Sequence, residues 1–136
     1  IEAEELYQSI EQEKKILLKI DHPFIVKTVK TLKDSKKVYF LMEYIKGKEL
    51  FEVLNELRVF NIIQAKFYSA SIFCAVEYLH KRNLVYRDIK PENILVTENG
   101  YIKLIDFGTC KEIDDRTSTV IGTPHYMAPE VIMGEG

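Results

Sequence analysis

The chain has little of several things that would have pointed elsewhere. Its two cysteines, Cys74 and Cys110, lie far apart and lack metal-ligand spacing, so neither a disulfide framework nor a zinc site is expected. Its 19 lysines and arginines do not outnumber its 21 aspartates and glutamates, and the basic residues are scattered among the acidic ones. No field therefore draws it to a nucleic-acid backbone or an anionic membrane. It has no secretory leader pattern, no apolar run of spanning length, and no repeat or low-complexity tract. These absences favour a reducing, cytoplasmic setting without nucleic-acid or membrane partners. What is present is 136 residues at 46% apolar and 29% charged, enough for one core and too apolar for disorder. The chain opens at Ile1 without a Met and stops at Gly134-Glu135-Gly136, so it is expected to be a fragment with two cut ends.

Leu6, Ile10, Glu13, Leu17 and Ile20 recur at intervals of four, three, four and three, the stripe of an amphipathic helix over Glu2 to Ile20. Glu13 is the anomaly, because a carboxylate on an apolar face is costly unless a cation meets it or it reaches solvent. Pro23 closes this helix. Phe24-Ile25-Val26 and Val38-Tyr39-Phe40-Leu41-Met42 read as two antiparallel β-segments around a Lys33-Asp34-Ser35-Lys36 turn. A short helix follows from about Glu49 to Leu57. Asn61 caps a longer one to about Lys81, apolar on two faces and so expected to be buried centrally. Leu84-Val85 is strand-like, and Ile94-Leu95-Val96 with Tyr101-Ile102-Lys103-Leu104-Ile105 reads as a hairpin whose Asn99-Gly100 turn supplies positive φ angles.

Two polar motifs hang from the ends of that hairpin: Tyr86-Arg87-Asp88-Ile89-Lys90-Pro91-Glu92-Asn93 before it and Asp106-Phe107-Gly108 after it. A returning strand ends near where its partner began, so Asp88 and Asn93 are expected close to Asp106. Phosphoryl transfer needs a carboxylate to take the acceptor hydroxyl's proton and oxygen ligands to hold Mg²⁺ against the phosphates, and these three are residues of those types. The polar stretch 109–127, with Thr117, Ser118, Thr119 and Thr123, is too long for an ordinary connection and is expected to be functional or mobile.

The catalytic-loop pattern, Asp-Phe-Gly and Ala128-Pro129-Glu130, in that order, make the chain resemble the middle of a eukaryotic protein kinase catalytic domain over essentially all its length. The resemblance implies an α+β, two-lobed fold, here partial: residues 1–42 from the N-lobe, 43–48 as hinge, and 49–136 from the C-lobe through the activation segment. It implies transfer of the ATP γ-phosphoryl group to protein Ser or Thr hydroxyls, with Asp88 as catalytic base, Lys90 over the transferring group, and Asn93 and Asp106 on Mg²⁺. Glu13 would pair the ATP-positioning lysine. Met42 resembles the gatekeeper, Glu43-Tyr44-Ile45 the hinge backbone that meets adenine, Leu95 the floor beneath the base, and Glu49 the residue that meets ribose or a substrate arginine. Solvated or core roles remain open for Met42, Leu95 and Glu49.

Lys90 and Gly122-Thr123-Pro124 follow the Ser/Thr pattern, with Thr123 and Glu92 on the substrate side. Tyr86 in place of the usual His resembles the AGC group, within which the cGMP-dependent branch and a cyclic-nucleotide-binding domain outside this chain are expected. Thr119 matches the activation-loop phosphosite, with Arg87 and Lys111 placed to receive its phosphate. Two departures stand out: His125 where this group often has Glu, and Thr28 where an apolar residue usually stacks beside Leu17, Phe107 and Tyr86. The Gly-rich loop, the strand lysine and the later helices are not in the sequence, so these residues alone are expected to be inactive and to be unstable or to associate. The competing readings are a pseudokinase scaffold and a small-molecule kinase.

Overall fold

The computed structural model describes the backbone of residues 2–34, 37–113 and 121–134, and the side chains of those residues apart from 2–9 and 12. Helix α1 (Glu2–Lys19) follows the predicted stripe where its side chains are described. Ile16, Leu17 and Ile20 are buried and Glu13 is half-buried, while Leu6 lies outside the described side chains. Each of those three aliphatic groups contributes about 1.5–3 kcal/mol by leaving water. The chain after α1 is pinned to the far end of a later helix. The Asp21 N–H donates to the Tyr78 hydroxyl at 2.8 Å, and the Arg82 guanidinium lies over the Tyr78 ring at 3.6 Å.

Phe24–Val26 does not form the expected strand of a hairpin. The Val26 N–H donates to the Leu104 carbonyl and the Leu104 N–H to the Phe24 carbonyl, both at 2.9 Å, so this apolar run lies as a parallel bridge along a later strand. The partner of β2 (Val38–Met42) is instead β1 (Thr28–Lys33), antiparallel, with an irregularity between Thr28 and Lys30. Residues 35 and 36 of the expected turn lie outside the described residues.

Strand β3 (Gly47–Glu49) leads into α2 (Leu50–Leu57), where the Glu49 N–H donates to Glu52 Oε2 at 3.1 Å. Helix α3 (Ile62–His80) starts at Asn61, whose side chain accepts from the N–H groups of Ile63 and Gln64, satisfying donors that a helix start leaves unpaired. Its expected central burial holds on one face only. Ser71, Ala75 and Leu79 are buried, whereas Ile63 and Phe73 are 76% and 74% exposed and Phe67, Ala70 and Cys74 also face outward. Among the described residues this second apolar face makes ring contacts only at Phe67, whose ring lies 5.8 Å from that of Tyr101 and 5.5 Å from that of Tyr68.

Strand β4 (Leu84–Val85) opens the polar loop, and β5 (Ile94–Thr97) with β6 (Ile102–Leu104) makes the expected hairpin. Only Gly100 takes a positive φ (84°) in its turn, and its N–H closes on the Thr97 carbonyl at 2.9 Å. One left-handed residue therefore suffices where two were expected. Strands β3, β5 and β6 form one antiparallel sheet in that order, with Glu49 opposite Leu95 and Leu95 opposite Lys103. Directly opposed residues share a sheet face, so these three side chains form a row. Strand β7 (Lys111–Glu112) pairs with β4, and α4 (Pro129–Ile132) closes the described chain. The core joins α1, the 25–26 segment, α3 and the hairpin through Leu17, Ile25, Leu79, Ile102, Leu104 and Phe107.

Candidate active site

The loop from Tyr86 to Asn93 is held at both ends by strands, β4 before it and β5 after a single 3₁₀ turn at Pro91–Asn93. Where β6 returns, the Ile105 N–H donates to the Asn93 carbonyl at 3.1 Å, so the residue after Ile105, Asp106, is delivered beside the loop's far end. This is the convergence that the hairpin predicted.

Asp88 is the best-satisfied group in the region. Asn93 Nδ2 donates to its carboxylate Oδ2 and to its carbonyl, both at 3.0 Å. Lys90 Nζ lies 2.8 Å from Oδ2, and the Thr123 hydroxyl donates to Oδ1 at 2.7 Å. Lys90 Nζ also donates to Thr123 Oγ1 at 2.9 Å, closing a ring of three side chains, Asp88, Lys90 and Thr123, drawn from two separate segments, with Asn93 joined to it through Asp88. Burial works against the Asp88 charge, but the hydrogen bonds from Lys90, Thr123 and Asn93 outweigh it and hold the carboxyl below the usual aspartate range. The same contact with Asp88 raises the Lys90 pKa. A carboxylate held ionised and aimed by three donors is pre-organised to accept a proton from a hydroxyl docked nearby.

Asp106 has a different setting. Its Oδ1 accepts the Gly108 N–H at 3.0 Å, and it is close enough to Glu13 to act on it electrostatically. Burial first, and then the charge of Asp106, raise the Glu13 pKa. Glu13 is half-buried, with a second carboxylate, Asp106, within electrostatic reach. Among the described residues no three His, Cys, Asp or Glu side chains cluster as a self-sufficient metal cage. The donor set is Asp106 with Asn93, whose amide nitrogen is turned to Asp88 and whose oxygen is therefore turned away from it. One carboxylate and one amide oxygen fit Mg²⁺, which is usually bound by one or two carboxylates together with substrate phosphates.

Arg87, next to Asp88 in the first motif, is locked. Its φ is 68°, a left-handed conformation that costs a non-glycine residue about 1 kcal/mol or more, and its Nε–H donates to the Thr109 carbonyl at 2.6 Å. The Thr109 hydroxyl in turn donates to the Tyr86 carbonyl at 2.9 Å. Gly122 has φ 125°, and a Cβ there would stand 2.5 Å from the Arg87 carbonyl. Only glycine allows the segment carrying Thr123 to seat on this loop. Tyr86 and Phe107 pack edge to face at 5.1 Å, both buried in the core that also holds Leu17. The Tyr86 hydroxyl lies near the Asp106 backbone without making a hydrogen bond, and burial raises its pKa. The Thr28 hydroxyl is also buried without a partner, the physical cost of the departure seen in the sequence.

The remaining expected residues fall around these. Met42 ends β2, half-buried against the core, and Ile45 packs there too, while Tyr44 is 90% exposed. Leu95 is half-buried at the centre of the row with Glu49. Glu92 is half-buried, and its Oε2 has no partner. Lys111 lies in β7, opposite Val85. Thr119, with Thr117 and Ser118, lies outside the described residues. Sequence reasoning missed Lys103, which reads as the outward residue of Ile102-Lys103-Leu104 but meets Glu43 across 60 positions. It also missed Thr109 as the anchor of Arg87. No local pattern marks either one.

The protein kinase domain family model matches residues 1–136. The cGMP-dependent protein kinase of Plasmodium berghei (strain Anka) is 54% identical over 128 residues, covering 94% of this chain and 15% of that relative. The cGMP-dependent protein kinase of Toxoplasma gondii is 52% identical over 129 residues, 95% of this chain and 13% of the relative. The cAMP-dependent protein kinase catalytic subunit PRKX of Homo sapiens is 49% identical over 129 residues, 95% of this chain and 36% of the relative. The chain thus spans only a minor part of the relatives it matches.

Proposed function

The chain belongs to the protein kinase domain family, and from that premise we propose that its parent protein transfers the γ-phosphoryl group of ATP to Ser or Thr hydroxyls of protein substrates. The observation that carries this reading is the closed ring of Asp88, Lys90 and Thr123, with Asn93 bonded to Asp88 from outside it. A scaffold has no need of three donors gathered on one buried carboxylate. Asp88 orients the acceptor hydroxyl and takes its proton. Lys90, already beside Asp88, supplies positive charge where the transferring group gathers negative charge. Asn93 and Asp106 hold Mg²⁺, which when bound neutralises phosphate charge. Thr123 belongs to the substrate side and ties its segment to the base.

Residues 43–45 offer backbone to adenine, Leu95 lies beneath it, Met42 stands behind, and Glu49 faces ribose or a basic substrate side chain. These assignments accord with the row Glu49–Leu95–Lys103 on one sheet face. Residues 1–42 then belong to the N-lobe, 43–48 to the hinge and 49–136 to the C-lobe. Glu92 and Glu49 are the acids that favour basic peptides, Glu92 being near enough to Lys90 to act on its charge. Thr119 is the phosphosite, received by Arg87 and Lys111. Among the relatives, the names of the cGMP- and cAMP-dependent kinases support an AGC kinase acting under a cyclic-nucleotide-binding domain outside these residues, in a cytoplasmic setting. No described helix is long and apolar enough to cross a membrane. These 136 residues by themselves lack the Gly-rich loop and strand lysine and are inactive.

The test is phosphate incorporation into a basic Ser-containing peptide by the full-length parent with ATP and Mg²⁺, native against Asp88→Asn. Loss of about a thousandfold in rate is expected. Equal incorporation would defeat the reading in favour of a scaffold.

A further inference from the structure

Between β2 and β3 the chain crosses from one sheet to the other through residues 43–46, and its supports are few. At one end the exposed Lys46 pairs with Glu98 at 2.7 Å and accepts the Glu98 N–H at 3.1 Å. In the middle, Ile45 packs on the core through its side chain, but neither it nor the exposed Tyr44 takes part in the backbone hydrogen bonds of the described residues. A groove of about 350 Å³ separates the segment from the β5–β6 turn. At the other end stands a compact charged knot. The Glu43 N–H donates to the Lys27 carbonyl and the Lys27 N–H to Glu43 Oε1, both at 2.9 Å. Lys103 Nζ lies 2.5 Å from the same Oε1 and donates to the Ile25 carbonyl at 3.3 Å.

This knot is more enclosed than the other ion pairs near the segment. The Lys103 and Glu43 side chains are 19% and 34% exposed, against 71% and 61% for Lys46 and Glu98. Enclosure raises the worth of a charge pair and slows its exchange with water. Burial disfavours the Glu43 charge, yet the bonds from Lys103 and Lys27 win and hold its carboxyl below the ordinary range. Lys103 also sits directly opposite Leu95 in the sheet, three residues before Asp106.

We propose that Lys103 is a positioning residue for nucleotide binding: by gripping Glu43 and the Ile25 carbonyl, it fixes the backbone of 44–45 over Leu95, in register with the strand that delivers Asp106. The inference rests on the nucleotide reading of residues 43–45 given above. Lys103 itself touches neither base nor phosphate. Its effect is to spare the binding step the ordering of an otherwise loosely supported segment. Removing it leaves Glu43 half-buried without its cation, and the segment loosens at its upstream end.

The experiment uses the full-length parent with Lys103→Met, Lys103→Arg and Asp88→Asn, each first shown to melt cooperatively at a temperature near that of the native protein. In Lys103→Met, KM for ATP rises about fivefold, a larger change than any fall in kcat. Lys103→Arg restores most of it, because a guanidinium reaches the same carboxylate. Amide hydrogen exchange at Glu43 and Lys27, which needs no turnover, speeds up in Lys103→Met and not in Lys103→Arg. Native KM and native exchange in Lys103→Met overturn the proposal, as does a loss in kcat alone. If Asp88→Asn transfers phosphate as fast as the native protein, the phosphotransfer reading has failed. The exchange measurement then still decides whether Lys103 grips the segment.

Discussion

The two aspartates of the site live in opposite electrostatic worlds. Asp88 is wrapped by an ammonium, a hydroxyl and an amide, all donating to it. Asp106 accepts one backbone N–H and has Glu13, a second acid, within electrostatic reach. The first half is closed upon itself. The second half sets two acids, Asp106 and Glu13, within reach of each other, while Lys90, whose charge acts on Asp106, is already bonded to Asp88, and such an excess favours a cation. Under the proposed roles, the base would be satisfied by protein, while the residues proposed to hold a metal-bound polyphosphate keep charge to spare. That difference separates base from ligand more sharply than the motifs do.

The comparison is most severely tested by Asp88→Asn, which keeps the shape of the ring and removes its basicity; about a thousandfold loss in kcat of the parent enzyme is expected, with the Mg²⁺ requirement unmoved. Asp106→Asn breaks the other half. The Mg²⁺ concentration for half-maximal nucleotide binding should rise by about thirtyfold, read by titrating a fluorescent ATP analogue. If both substitutions shift the Mg²⁺ requirement equally, the division of labour is wrong. Thr123→Ala removes one donor from Asp88 and should lower kcat about tenfold, while the Asp88 carboxyl titrates higher in carbon NMR.

The smallest effect is expected from Glu13→Gln, and its sign is the informative part. The Glu13 pKa is raised in the folded state, so folding favours its protonated form; the penalty is present at neutral pH and disappears as pH falls below the unfolded value of about 4.5. Glu13→Gln should therefore raise the melting temperature of the catalytic domain by about 2 °C at pH 7 and leave it unchanged near pH 4. Asp88 behaves oppositely. Its pKa is lowered, so its stabilising contribution is present above the unfolded value of about 3.8 and is lost as pH falls through the folded one.

The convergence of Asp106 on the loop of Asp88 and Asn93 was legible in the sequence because these are contiguous motifs hung on a hairpin, and a hairpin's geometry is nearly fixed by its turn. The helix starting at Asn61 was legible for a similar reason, since capping is local chemistry. What failed was decided at long range. Phe24–Val26 looked like a strand of a hairpin because it is apolar, yet its hydrogen bonds go to Leu104. The true partner of β2, Thr28–Lys33, exposes Val29 and Leu32 and shows no clean alternation. The second apolar face of α3 was taken for burial because composition states that a face is apolar, not what lies against it. The grip of Lys103 on Glu43 has no sequence signature at all, because two charged residues of opposite sign 60 positions apart are commonplace.

The close approach of Gly122 to the Arg87 carbonyl has a further consequence. With barely room for a hydrogen where a side chain would start, and with Arg87 held in a left-handed turn by Thr109, neither partner has slack to take up a partial engagement. The hydroxyl that Thr123 offers to Asp88 therefore depends on the residue before it: a side chain at position 122 would meet the Arg87 carbonyl and lever Thr123 off the carboxylate, so a change that adds a single carbon there acts on Asp88 without touching it.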